Sequence, residues 1–588
     1  MITICSLLML AAGGLEGVQG ADKAAALPQA AKSALAKDNF TVVEGRERHF
    51  FSLYDRNAYE KVPSFITADV VLHVMHTRFD DELANHEVRR LLPALKDFAS
   101  SQLARALSLF PASGAPYPPI ESLALFHAIP LLLLDENVSL DPRIAAAARA
   151  DVRTLKAATG ELRSKACGLP LDASLLLPRG HYDRLDLRGY FQASTWYAQC
   201  VFRLDRDGLA RAVNLVRLID PKSAAALRQL EASRAFIAGA ADDPGVGDLE
   251  PLLAGFPPLP QPVLVTTIEG MLAKLSKTPR VASRRGPVFA VFGGARTFDA
   301  EVLGLSAAKT RTPSVLEVLA ALGSPSALRF LGRPAAPPSL PRGGGLSQRW
   351  LDVLTVFVGA PPEGQPPYAR TSAWEGRVLT AAAGSWAELK HDTLLYVKQP
   401  VVMREGGHEA ELPAAKVGGY VDPRPDVYRA VLAMNDALRA LDPDAGKRDD
   451  APGDFLRFVI AVSELELSGK PFPREMDERL RTIGSELEEL ARTRGDATPR
   501  QALVADVLTI EFPDRPRSVL HVGVGDVDEL WVVVPRAGKR VLMRGGVFSF
   551  YEFMKTSRMT DQDFIESLPG AARPVWAQPL KKSSPRKN

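Results

Sequence analysis

Three of the nine histidines fall between Thr67 and Glu87 (TADVVLHVMHTRFDDELANHE). On a helix turning by about 100° per residue, Asp69, His73, His76 and Asp80 share one narrow face. Two imidazoles and two carboxylates at that spacing are able to pass a proton or to ligate a divalent cation, for which Asp69, His73 and His76 form the candidate set. Zinc would want further ligands from elsewhere in the chain, and His86 points away from this stripe. Leu72, Phe79 and Leu83 lie beside His76 on the same wheel, so that edge should face inward. A structural reading competes. Thr67 is an expected N-cap, which puts Asp69 in the first turn, where a carboxylate favours the positive helix end.

The second set of acid-base residues lies in Gly384 to Pro400 (GSWAELKHDTLLYVKQP). Ser385 and Glu388 stand at capping-box spacing and a proline closes the segment, which predicts a helix of about four turns with Glu388 spent on its start. His391 and Asp392 would supply a general base and its partner. Lys398 follows His391 on the same face and Gln399 follows Asp392, which makes both substrate-binding candidates. A polar flank packed on another helix would use the same letters.

These segments need a scaffold, and the periodicity supplies one. From about Val62 to Gly239 apolar residues recur at three and four, with Pro or Gly at helix-length intervals. Pro and Gly cluster again at 244–262 and 333–345, which predicts loops. Asp426 to Leu441 and Glu475 to Thr493 predict amphipathic helices. The period then shortens: Val504 to Phe512, Ser518 to Val524, Glu529 to Val534, Arg540 to Arg544 and Val547 to Phe553 predict strands separated by turns such as Gly525-Asp526 and Ala537-Gly538. The expected fold is mainly α, a multi-helix array with a C-terminal antiparallel β-meander, α+β overall. The expected organisation is a leader at 1–20, a mostly helical domain at 21–500, the meander at 501–565 packed on it, and a basic tail at 566–588.

Composition removes several function classes. The 588 residues carry 72 Lys plus Arg against 69 Asp plus Glu, and 46% are hydrophobic, as in an ordinary globular protein. The net charge of +3 comes from the last eight residues, which hold Lys581, Lys582, Arg586 and Lys587, less Glu16 in the first twenty, on a neutral body. Nucleic acid is therefore not an expected partner, since it calls for a basic patch on the folded domain. GxxxxGK[ST], GxSxG and HExxH are all missing, and Gly523-Val524-Gly525 lacks the third glycine of a dinucleotide loop. Ile2 to Gly14 is apolar and of leader length, with small residues before Ala21, although no Lys or Arg precedes it. It predicts export to a periplasmic or extracellular space, and no later stretch is apolar enough to span a bilayer. Export would leave Cys167 and Cys200, either bridged or as two buried thiols.

Five separated stretches, taken in order, resemble the domain of unknown function 3160 family of mostly exported prokaryotic proteins. They are 65–98 (FITADVVLHVMHTRFDDELANHEVRRLLPALKDF), 178–197 (PRGHYDRLDLRGYFQASTWY), 384–399 (GSWAELKHDTLLYVKQ), 418–428 (GGYVDPRPDVY) and 519–553 (VLHVGVGDVDELWVVVPRAGKRVLMRGGVFSFYEF). The resemblance implies kinship without a reaction, and it adds Arg179, His181 and Tyr182 as substrate-binding candidates. It departs at Asp506-Val507-Leu508-Thr509-Ile510, where the family pattern places a His-Thr-Asp-like run. The leading expectation is a polar cleft lined by His73, His76, His391 and Asp392 that performs a hydrolase- or lyase-like reaction. The alternative is a non-catalytic envelope or extracellular binding protein in which these residues are structural hydrogen bonders.

Overall fold

The computed structural model describes residues 15–254, 270–271, 273–275, 287–308, 313–334, 343–397, 418–441, 450–491, 501–512, 516–574, 576–577 and 581–582. The chain is mainly helical with antiparallel strands towards its C-terminus, the expected class. The helices that matter for the site are α1 (Ala68–His86), α2 (Leu92–Ser108), α3 (Ser372–Asp392) and α4 (Asp561–Ser567). Among the described residues no helix is long and apolar enough to cross a membrane.

The longer paired strands and those next to the site are β1 (Phe40–Glu47), β2 (Ser64–Ile66), β3 (Gly419–Val421), β4 (Leu503–Ile510), β5 (Ser518–Val524), β6 (Val527–Arg536), β7 (Lys539–Val547) and β8 (Phe550–Lys555). All five C-terminal strands form within a few residues of their expected bounds, and they divide between two sheets. β4, β5 and β8 make a three-stranded antiparallel sheet, whereas the β6–β7 hairpin joins a larger sheet in the order β1–β6–β7–β2–β3. The division occurs after Gly525, whose N–H donates to the Ser549 carbonyl and extends the β5–β8 register by one residue before β6 begins at Val527. Ala537 and Gly538 both have positive φ, 48° and 74°, the backbone of a tight hairpin turn. Val18–Gln19 pairs in parallel with Arg540 and Val541 of β7.

α1 starts where β2 ends. The Thr67 side chain accepts from the Val70 N–H, the expected cap. At Glu87–Leu91 the helix widens into a π turn before α2 begins. α3 is longer than its local signals predict: Thr371 caps it by accepting from the Trp374 N–H, and it ends at Asp392 rather than near Pro400. Ser385 and Glu388 are therefore interior residues, not a capping box. Ser385 Oγ accepts from Trp350 Nε1 at 3.0 Å. The expected helix at Asp426 to Leu441 runs Pro425–Leu438 with a 3-10 turn to Leu441, and that at Glu475 to Thr493 forms two helices, Arg474–Arg481 and Ile483–Ala491, with Thr493 outside the described residues.

α3 packs against α1 on one side and against β4 and β5 on the other. Its Leu389 shares one buried cluster with Leu72 and Phe79 of α1 and with Ala505 and Val522 of the small sheet. Close approach is permitted by Gly384, where a Cβ would lie 2.7 Å from Phe548 Cγ. Cys167 and Cys200 form a disulfide.

Candidate functional site

The face of α1 that carries His73 and His76 meets the face of α3 that carries Glu388 and Asp392. His73 Nδ1 donates to Glu388 Oε1 at 2.6 Å, and His76 Nδ1 donates to Asp392 Oδ2 at 2.8 Å. The three-residue step in α1 and the four-residue step in α3 place these pairs one turn apart. His391 completes the row: its Nδ1 donates to Asp392 Oδ1 at 3.0 Å and its Nε2 to Asp561 Oδ2, also at 3.0 Å. Asp561 sits in the first turn of α4, and its other oxygen accepts from the Val504 N–H at 2.7 Å, which ties the site to the small sheet.

His181 enters from a 3-10 turn at Gly180–Asp183. Gly180 has φ +56°, and a Cβ there would lie 3.1 Å from the His391 carbonyl oxygen, so conformation and space both favour glycine. His181 is clasped on both sides, Nδ1 to Asp80 Oδ1 at 2.5 Å and Nε2 to Glu87 Oε2 at 2.8 Å. Glu87 belongs to the π turn, and its other oxygen accepts from the hydroxyls of Tyr182, at 3.0 Å, and Tyr396. Burial raises both phenols well above their usual range, so they stay donors.

Four imidazoles and five carboxyl groups, those of Asp80, Glu87, Glu388, Asp392 and Asp561, thus lie in one largely buried cluster, bonded as three neighbouring groups: His73 with Glu388, His76 and His391 with Asp392 and Asp561, and His181 with Asp80 and Glu87. The His73 and His76 rings lie 5.6 Å apart, and those of His76 and His391 6.1 Å apart. Burial works against charge on His76, but Asp392 and Glu388 outweigh it and hold its pKa up to about 9. His181 follows the same rule: Asp80 and Glu87 overcome burial and lift it to about 10. His391 is raised well above its ordinary value, burial again being overcome, here by Asp561 and Asp392. The Nε2 atoms of His73 and His76 have no hydrogen bond among the described residues, and His73 keeps 12% of its side chain exposed.

Two groups of donor atoms have the spacing of a cation site. Those of His73, His76 and Glu388 lie within 4.8 Å of one another, as do those of Asp80, His391 and Asp392. Asp69 joins neither. Its carboxylate pairs with Arg377 and accepts from the Phe548 N–H at 3.0 Å, so the stripe expected from the helical wheel parts after its first residue. Arg179 also stands outside the network; it pairs with Asp506 at 3.3 Å in the neighbouring sheet, beside Arg558. Burial lifts the Asp506 carboxyl to about 6 despite Arg179. Lys398 and Gln399 lie outside the described residues.

Local patterns missed three members. Glu388 was hidden by its capping-box spacing, and Glu87 by lying just past the helical stripe. Asp561, more than a hundred residues from any other member, has no local signal except its position at a helix start behind Thr560.

Among known proteins, no curated protein and no solved structure matches the chain. The family model described as "Protein of unknown function (DUF3160)" matches residues 28–337 and 343–577, and the chain belongs to that family.

Proposed function

We propose that the protein is an exported enzyme with a hydrolase- or lyase-like reaction at the junction of α1, α3 and α4. One observation carries the reading: His73 and His76 are each fixed at Nδ1 by a buried carboxylate while Nε2 has no bonded partner among the described residues. An imidazole held this way is oriented and made more basic for a task at its other nitrogen. In this reading Nε2 of His73 and His76 meets the reacting group, and His391, tied to Asp392 and Asp561, supplies and takes up protons. His181 and Tyr182 hold the wall of the site through Asp80 and Glu87. The apolar leader at Ile2 to Gly14 and the Cys167–Cys200 disulfide support an oxidising, periplasmic or extracellular compartment.

The test is a panel of small esters, phosphoesters, glycosides, amides and hydroxy acids presented to the purified chain. Turnover of at least one class is expected, falling at least about 100-fold in His73→Gln and His391→Gln. Circular dichroism should show both variants folded. A panel without turnover, or turnover that survives both substitutions, contradicts the proposal.

A second reading, a non-catalytic binding protein, draws on the full pairing of His181 and His391, each bonded at both nitrogens. It predicts no turnover in the panel and, for the same variants, losses of several kcal/mol in unfolding, as for a broken buried network.

A further inference from the structure

We propose that His73, His76 and Glu388 bind one divalent first-row transition cation, zinc or manganese, which would take the place of the His73 Nδ1–Glu388 Oε1 hydrogen bond and leave His73 Nε2 to the reacting group, a reading that deepens the function above by naming what the site holds. The three donors come from two helices packed directly on each other, and their atoms already lie within 4.8 Å of one another. The second observation is independent of that spacing. The Glu388 side chain is fully buried, and its Oε2 has no hydrogen-bond partner among the described residues. A buried carboxylate oxygen rarely stays unbonded, because its lost hydration must be replaced by a donor or a cation.

Charge points the same way. Five carboxyl groups face four imidazoles in a cluster largely withdrawn from bulk water, so it has room for added positive charge. Imidazole nitrogen with carboxylate oxygen suits zinc, manganese or iron better than calcium or magnesium, which prefer all-oxygen shells. Asp392 fixes the His76 ring and is itself held by His391, the supporting layer that sites of this kind carry behind their ligands.

The neighbouring group, Asp80, His391 and Asp392, is not assigned a second cation. Both nitrogens of His391 and both oxygens of Asp392 are already bonded, and Asp80 is engaged by His181. The expected stoichiometry is therefore one. With a cation in the first group, a bound water becomes the natural nucleophile, and His391 remains the proton carrier beside it.

The experiment is equilibrium dialysis of EDTA-treated full-length chain against zinc chloride and, separately, manganese chloride, with the bound metal counted by plasma mass spectrometry. One cation per chain is expected for the parent with at least one of the two metals. Glu388→Gln and His73→Gln should weaken binding at least about 100-fold, and Asp392→Asn by about 10- to 100-fold. His86→Gln, whose parent ring bonds Ser233 and the Leu441 carbonyl, should bind like the parent. A thermal melt of each EDTA-treated variant separates loss of metal from loss of fold; for a variant that does not fold, the metal-induced rise in the parent's melting temperature, reduced at the same metal concentration in Asp392→Asn, serves instead. No stoichiometric binding of either metal, or parent-like binding by Glu388→Gln, overturns the proposal. Turnover that persists in EDTA yet dies in His391→Gln removes the cation and leaves the acid-base reading, whereas stoichiometric binding without turnover leaves the cation and removes the enzyme.

Discussion

His127 and His181 are both buried, yet their surroundings push them in opposite directions. His181 is flanked by two carboxylates and raised to about 10, whereas His127 faces the Tyr197 hydroxyl at 2.9 Å and burial lowers it to about 3. The consequence for stability has a definite sign. An unfolded imidazole takes up its proton near pH 6.5, while folded His127 resists it, so the unfolded chain gains protons first as pH falls. Stability is lost progressively from about pH 6.5 towards 3, by about 2 kcal/mol at pH 5 from this residue. In His127→Phe, the drop in melting temperature between pH 7.5 and pH 5 should be smaller than in the parent; equal drops would show that His127 titrates normally. Sequence alone separates these histidines only in part: His181 lies in a stretch resembling the family, but neither residue's neighbours are visible without the fold. Glu388 shows the limit more sharply. Ser385-x-x-Glu388 has the spacing of a helix start, and only the cap at Thr371 reveals that the helix is already running.

Helices and strands were legible by period, their partners were not. Alternation locates β6, but its pairing with β1 joins Trp531 to Thr41 across almost the whole chain, where no local pattern reaches. The contact of α3 with α1 and with the strands is likewise invisible to local pattern. Gly384 is where α3 presses on the segment between β7 and β8: an added Cβ would fall 2.7 Å from Phe548 Cγ, and Phe548 also supplies the N–H that Asp69 accepts. Gly384→Val should therefore force α3 away from Phe548 at a cost of about 1–3 kcal/mol, measured as a lower midpoint in urea. Alanine should show a smaller loss. Unchanged midpoints in both would mean that the Phe548 ring moves aside freely and that this contact does not fix α3 against the β7–β8 segment.

The whole molecule assembles its network from four stretches that lie far apart in sequence: α1 with the π turn, the Gly180–Asp183 turn, α3, and the start of α4. His73, His76, His391 and Asp392 were recognisable as acid-base residues on helices, and the mainly helical class with C-terminal strands followed from period and composition. Their convergence depended on tertiary packing, as did the recruitment of Glu87, Glu388 and Asp561. The central claim is that these residues act as one catalytic unit, and a double-mutant cycle on kcat/KM tests it most directly. His73→Gln, His391→Gln and the double variant should be assayed on the best substrate of the panel. Residues of one unit lose nearly the same activity singly and together, so the double variant should be no more than about 10-fold below the weaker single variant. A double variant whose loss equals the product of the two single losses would show that His73 and His391 act independently, and would contradict the account.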